Sequence, residues 1–226
     1  MRGLIAFDLD GVLYSSEPFL GEAYRDAIAN VNRQRPGSFP RVPATREILD
    51  YVGWPVPVIL QRLFPNVDPV AVELLYRETV GVIAGYVRRG RGVLFPGVPE
   101  TLRALCAADF TLVIASNGRR AYVEAVLEAN ALSPHFGALL TVDADGMATK
   151  ADLLRAYLTR YAVPVAQLVM IGDRASDVEA AVAVGCRFVG CDYGHGYQQE
   201  IEGAGPMVSG FDQLPEVIAW TLVAPR

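Results

Sequence analysis

The sequence predicts an α/β protein, a parallel sheet with helices on both faces, interrupted after its first strand by an all-helical insert. Three observations carry this. Short apolar runs at 4–7, 111–115, 168–171 and 187–190 end at Asp8, Ser116, Gly172 and Gly190. Continuous apolar runs of that length, closed by a turn signal, are strands buried on both faces. Segments with helical apolar spacing separate the later runs, and strand–helix alternation of this kind argues a parallel sheet. Between about 15 and 90, only helical spacing is found.

The elements follow in order. After the first run, Leu20, Tyr24, Ala27 and Val31 predict an amphipathic helix over about 19–32. The Pro- and Gly-containing stretch 35–40 is a loop. A short helix runs to Val52, with Gly53 placed to end it. Val56, Ile59, Leu60 and Leu63 mark another helix, broken over 65–68. Pro69 is well placed at the start of the next, which carries Val72, Leu75, Thr79, Val82 and Tyr86 to about Arg89. Gly90 and Gly92 close the insert. Leu102, Leu105 and Cys106 then share a helix face, and the strand at 111–115 leads into Ser116-Asn117-Gly118. Tyr122, Val123, Val126 and Leu127 give a helix ending near Asn130. A further strand is expected at 138–142, followed by a turn at 143–146, which resembles the start of a calcium loop but lacks its later ligands. Lys150 opens a helix with Leu153, Leu154, Tyr157 and Tyr161 on one face. Strand 168–171 ends in Gly172-Asp173, and an alanine-rich helix over 176–184 stops at Gly185. After strand 187–190, Gly194, Gly196, Gly203 and Gly205 make a loose loop. A last helix over about 214–222 packs back through Val217, Ile218 and Leu222.

The 226 residues, 20% of them charged, suit one large domain or a domain plus an insert. A net charge of −5 gives no reason to expect nucleic acid, and no apolar run is long enough to span a bilayer. The first apolar stretch is broken by Asp8, so it is not expected to be a signal peptide. Cys106, Cys186 and Cys191 lack C-x-x-C spacing and are expected to be reduced, in a cytoplasmic protein. His135 and His195 are far apart and far from any other ligand-like cluster in sequence, which argues against zinc.

The strand ends carry the chemistry. Open α/β sheets bind ligands at the carboxyl edge. There the first strand delivers Asp8 and Asp10, with Gly11 letting the chain turn at once. On its own, this D-x-D-G stretch also fits a strand followed by a solvated acidic turn. The second strand adds Ser116 and Asn117, the later one Asp173 with Asp177 four residues on, and Lys150 follows the loop after 138–142. Clustered carboxylates call for a hard divalent cation, most simply magnesium. A carboxylate nucleophile with magnesium, an amine and hydroxyl donors suits phosphoryl transfer. Of the 20 basic residues, only Lys150 is a lysine. A compact ammonium fits beside a carboxylate and a phosphoryl oxygen where a guanidinium fork does not.

With these residues in hand, the chain resembles the haloacid dehalogenase superfamily of aspartate-nucleophile phosphatases. Phe7-Asp-Leu-Asp-Gly-Val-Leu13 looks like the first motif, Ile114-Ala-Ser-Asn-Gly118 the second, Lys150 the third and Gly172-Asp-Arg-Ala-Ser-Asp177 the fourth. Leu94-Phe-Pro-Gly-Val98 and Asp192-Tyr-Gly-His-Gly196 resemble the phosphoglycolate phosphatase-like branch. Ser15, where the branch often has aspartate, and Ala151, where proline is common, depart from it.

The resemblance implies a Rossmann-like core over 1–14 and 91–226, with residues 15–90 as a helical cap. It implies that Asp8 is the nucleophile and Asp10 the general acid and base. Ser116 and the Asn117 amide would bind phosphoryl oxygens, and Lys150 would bridge Asp8 and the phosphoryl group. Mg2+ would be held by Asp8, the Asp10 carbonyl and Asp173, with Asp177 orienting Lys150 or a metal-bound water. The expected substrate is a small phosphorylated metabolite, phosphoglycolate-like or a sugar phosphate, handled by a monomer or homodimer. Arg46, Trp54 and Arg62 could face it, or be ordinary solvated and packing residues.

Rival readings are a glycosyltransferase, a dehalogenase, a phosphosugar mutase and a catalytically silent phosphate-binding protein. Only seven residues precede Asp8, too few for a nucleotide-binding half. By resemblance, a dehalogenase lacks an acid at the position of Asp10. The mutase relatives use cap lysine and histidine, and the insert has neither. A silent relative would be expected to have lost one of the polar residues.

Overall fold

The structure is a computed structural model that describes residues 1–144 and 146–223. β1 (Gly3–Phe7) leads into β2 (Tyr14–Ser15), after which come four helices: α1 (Glu17–Gln34), α2 (Thr45–Leu49), α3 (Val56–Leu63) and α4 (Pro69–Arg88). The chain then runs through β3 (Val93–Leu94), α5 (Val98–Ala107), β4 (Phe110–Ile114), α6 (Arg120–Ala129) and α7 (Lys150–Tyr161). It ends with β5 (Leu168–Gly172), α8 (Ala175–Val184), β6 (Arg187–Cys191), α9 (Gln198–Ile201), β7 (Met207–Val208) and α10 (Leu214–Val223).

The main sheet has the order β4-β1-β5-β6-β7, and every neighbouring pair is parallel. Successive side chains of a strand point to opposite faces, and here both faces are apolar. Ile5 and Phe7 of β1, Leu112 and Ile114 of β4, and Val169 and Ile171 of β5 share one core with α5, α6 and α10. Leu4, Ala6, Val113, Leu168 and Met170 turn the other way, onto α7 and α8. β1, in the middle of this sandwich, is fully buried.

The insert has an apolar core of its own, in which Leu20, Tyr24, Ile28 and Val31 of α1 meet Ile48, Leu60, Leu63 and Leu75. α1 and α4 lie antiparallel, as Tyr86 bonding Asp26 and Asn30 bonding Glu78 show. Asp68 caps α4 by accepting from the Val70 amide, and Pro69 occupies the first turn, where no amide is needed.

Three expectations need correction. The segment 138–142 is not a strand. Its amides go to side chains of α7 instead: Ala138 N–H donates to the Tyr161 hydroxyl at 2.7 Å and Leu140 N–H to the Tyr157 hydroxyl at 2.8 Å. The insert region is not purely helical at its edge, because β2 and β3 pair antiparallel where the chain leaves and re-enters the core. β7, only two residues long, closes the far side of the sheet unforeseen. Asp145 of the expected turn lies outside the described residues, and the chain turns on either side of it. Among the described residues, no helix is long and apolar enough to cross a membrane.

Candidate active site

The parallel sheet puts the ends of β1, β4 and β5 on one edge, and the predicted polar residues gather there. Lys150 Nζ lies 2.7 Å from Asp8 Oδ2 and 2.6 Å from Asp177 Oδ1, and all three side chains are buried. The position of Lys150 follows from its helix start. Thr149 and Asp152 cap α7 reciprocally, the hydroxyl accepting from Asp152 N–H and the carboxylate from Thr149 N–H. That cap fixes Lys150 in the first turn. Asp177 does two jobs at the start of α8. Its Oδ2 accepts from the amides of Asp173 and Arg174 while Oδ1 holds the lysine. Asp8 Oδ1 accepts from Leu9 N–H at 2.7 Å.

Asp173 is gripped from the loop after β6. Its Oδ2 accepts from His195 N–H at 2.8 Å and Gly196 N–H at 2.9 Å. The fold thus brings His195 against the acidic cluster, contrary to the expectation from sequence distance, though through its main chain. Glycine is required here by close approach: a Cβ on Gly196 would strike the Asp173 carbonyl. Gly11, at φ +82°, makes the turn after Asp10, and a Cβ there would strike the Asp173 carboxylate.

The charges are unbalanced. Burial, reinforced by Asp177 and Asp8, pushes Asp173 up to about 8. Burial also pushes Asp10 up to about 7, against a lowering hydrogen bond from Tyr122. Burial also raises Asp177 above the usual carboxylate value, opposed by the Lys150 ammonium that it pairs with. Burial would push Lys150 down, but Asp177 and Asp8 outweigh it and hold the ammonium above its usual value.

Oxygens of Asp8, Asp173 and Asp177 lie within 4.8 Å of one another, and Asp173 Oδ1 is buried with no hydrogen-bond partner. One ammonium does not balance three acids, and an orphaned buried carboxylate oxygen needs a cation. An all-oxygen donor set of this kind fits a hard divalent ion.

Asp10 lines a cavity of about 80 Å³ between insert and core, together with Ser116 and Asn117. Part of the Asp10 surface stays open to this cavity. Tyr122 Oη donates to Asp10 Oδ1 at 2.6 Å. The sequence reading placed Tyr122 on a helix face only. Its hydroxyl, one turn into α6 after Asn117, was the available signal. Ser116 is buried, with Oγ accepting from Gly118 N–H.

Several bonds cross from core to insert. Asn117 Nδ2 donates to the Gly53 carbonyl at 2.8 Å. Arg174, 1% exposed, donates to the carbonyls of Leu49 at 2.7 Å and Asp50 at 3.4 Å and pairs with Glu200 at 3.1 Å. In the sequence Arg174 stands inside the fourth motif, but nothing there assigns it a partner. The Arg119 guanidinium lies 4.3 Å over the Tyr76 ring. Of the three insert residues singled out, Trp54 lines the cavity. Arg62 lies over the Trp54 ring at 6.0 Å, and Arg46 is exposed and paired with Asp50.

The family profile of haloacid dehalogenase-like hydrolases matches residues 3–185. The protein is therefore a hydrolase built on a parallel α/β sheet. The chain belongs to the haloacid dehalogenase-like hydrolases. It is 28% identical over 224 residues to a phosphoglycolate phosphatase of Photobacterium profundum, an alignment covering 95% of this chain and 94% of the relative. It is 27% identical to a phosphoglycolate phosphatase of Escherichia coli K12, over 92% of this chain and 88% of the relative. Among solved structures, a predicted phosphoglycolate phosphatase from Haemophilus somnus superposes with a TM-score of 0.81 at 23% identity. That match covers 95% of this chain and 97% of the other.

Proposed function

We propose that the protein is a Mg2+-dependent phosphatase that cleaves a small phosphomonoester through an aspartyl-phosphate on Asp8. One observation carries this reading. Two carboxyls two residues apart sit in opposite settings, Asp8 ion-paired to Lys150 and Asp10 pushed up to about 7 beside the cavity. Carboxyls in such different settings can divide the work of nucleophile and general acid.

In this reading the Asp8 carboxylate attacks phosphorus, and Asp10 gives its proton to the departing oxygen. Asp10, now ionised, takes a proton from the water that hydrolyses the aspartyl-phosphate. Tyr122 keeps Asp10 aimed at the cavity. Ser116 Oγ and the Asn117 amide donate to phosphoryl oxygens, and Lys150 balances charge between Asp8 and the phosphoryl group. Asp8, Asp173 and the Asp10 carbonyl would hold Mg2+, which supplies Lewis-acid neutralisation of the phosphoryl oxygens when bound. Asp177 anchors Lys150. Residues 15–90 act as a cap over the core of 1–14 and 91–226, excluding water while phosphorus is transferred. The relatives named phosphoglycolate phosphatase support a small phosphorylated metabolite as substrate.

The test is hydrolysis of p-nitrophenyl phosphate. Turnover should need Mg2+, stop with EDTA and fall to background in Asp8→Asn, because an amide cannot act as the nucleophile. Activity that persists in Asp8→Asn or in EDTA would refute the reading.

A further inference from the structure

Among the described residues, Arg119 is the one cationic side chain in the wall of the cavity that Asp10, Ser116 and Asn117 share. It caps the start of α6. Its guanidinium lies 4.3 Å over the ring of Tyr76, which comes from α4 and does not itself line the cavity. A ring covers only the face of a guanidinium, which keeps the N–H donors in its plane. Asp143 is near enough to feel this charge, yet among the described residues no carboxylate closes an ion pair with it. Thr79 of α4 also lines the cavity. It is 1% exposed, and its Oγ1 has no hydrogen-bond partner. A buried hydroxyl of that kind is costly until a ligand atom meets it. The wall thus offers a fork of donors and a spare hydroxyl, beside the neutral polar groups of Ser16, Tyr24 and Trp54.

A leaving group departs toward its general acid, so the alcohol of the substrate would occupy this cavity. We infer that Arg119 is the residue that selects this alcohol, by donating to an oxyanion at its far end, and that Tyr76 positions the guanidinium for the contact. The inference rests on the phosphatase reading of the same site and deepens it. A guanidinium fork meets a carboxylate or a phosphate with two parallel bonds, and such charge-assisted bonds are stronger than neutral ones. Asp8, Asp173 and Asp177 gather at the same edge of the sheet and disfavour a further anion, so a preference for one needs a specific cation. Arg119 belongs to the core and Tyr76 to the insert. The contact is therefore assembled only while core and insert are together, and selection of the alcohol belongs to that joined form.

The experiment offers the Mg2+-loaded protein the phosphate esters of glycolate, 3-hydroxypropanoate and 4-hydroxybutanoate, each beside its amide. Acid and amide differ only in one carboxylate oxygen exchanged for NH2. 1,3-Propanediol bisphosphate, beside 3-hydroxypropyl phosphate, puts a phosphate at the far end instead, so the two arms tell the carboxylate from the phosphate. p-Nitrophenyl phosphate reports phosphoryl transfer without any such group. For at least one of these pairs the anionic ester is expected to exceed its neutral counterpart in kcat/KM by about tenfold or more. The phosphonate analogue of that anionic ester should likewise inhibit more tightly than its neutral counterpart. In Arg119→Met the ratio should fall to about one. Tyr76→Leu should lower the ratio about two- to fivefold, and Tyr76→Phe, which keeps the ring, should preserve it. Equal losses on both esters of the pair in Tyr76→Leu would remove Tyr76 from the assignment. Ratios of one or less for every pair, with p-nitrophenyl phosphate hydrolysed, would overturn the inference and leave the phosphatase reading standing. A preference that Arg119→Met leaves intact would do the same. If Arg119→Met does not fold, the wild-type ratios and the two Tyr76 variants decide. Failure to hydrolyse any of these esters would overturn the phosphatase reading, and the inference with it.

Discussion

Asp173 is held where its charge is disfavoured, and that has a measurable sign. Burial in the fold, with Asp177 and Asp8 beside it, pushes its carboxyl up to about 8 from the ordinary 3.8. Folding then takes up a proton that the unfolded chain has released. The stability from this group is complete below about 3.8 and is lost as pH rises toward 8. Asp10 and Asp177, raised to about 7 and about 6, act in the same direction. A divalent cation competes with protons for these oxygens and binds better as they ionise. Mg2+ should therefore raise the melting temperature, relative to EDTA, by more at pH 8 than at pH 5.5. In a chain of this size each kcal/mol corresponds to about 2–4 °C. Differential scanning fluorimetry reads the difference, and equal gains at the two pH values would contradict it.

At the scale of elements, Tyr157 replaces a strand. Its hydroxyl accepts from Leu140 N–H at 2.8 Å and donates to the Ile114 carbonyl at 2.9 Å, joining 138–142 to the end of β4. Tyr157→Phe leaves both backbone groups short of a partner and should cost about 1–3 kcal/mol. Urea unfolding would show it as a lower midpoint at unchanged slope, and an unchanged midpoint would deny Tyr157 this role. The same element marks the limit of sequence reading. Its apolar residues look like those of a strand, and only the fold reveals that two tyrosines of the next helix have taken the ladder's place. The longer strands β1, β4, β5 and β6 were legible because each is mostly buried and closes at a polar residue or glycine, whereas the two-residue strands β2, β3 and β7 were not. The meeting of Asp8, Asp10, Ser116, Asn117 and Asp173 on one edge was legible for the same reason, since a parallel sheet delivers every such end to one edge, whereas Lys150 and Asp177 reach it from the first turns of α7 and α8. The contacts that Tyr122, Arg174 and the loop at 194–196 make were not legible. Their partners lie across a chain crossing or in another layer, where periodicity carries no information.

The whole molecule has an apolar core on each face of the sheet and a third inside the insert, and Phe19, Ala23, Ala84, Tyr86 and Val87 of α1 and α4 pack into the first of these. The β2–β3 ribbon carries both covalent connections, and the Tyr14 hydroxyl bonds the Arg91 carbonyl beside it. If residues 15–90 open and close over the site, occupation of the phosphoryl position should favour the closed form. Small-angle scattering with Mg2+ and beryllium fluoride should give a smaller radius of gyration than Mg2+ alone, and superimposable profiles would count against this motion. Arg174 adds a consequence for how such proteins diversify. It belongs to the core and directly follows Asp173, yet its guanidinium is spent on the carbonyls of Leu49 and Asp50. The insert therefore cannot be exchanged as an independent module. A graft from another chain must offer two main-chain carbonyls at that spot, or it leaves the sequestered Arg174 with Glu200 as its one partner among those named. Any exchange of residues 15–90 in this chain has to satisfy this one side chain even where ribbon and sheet are compatible.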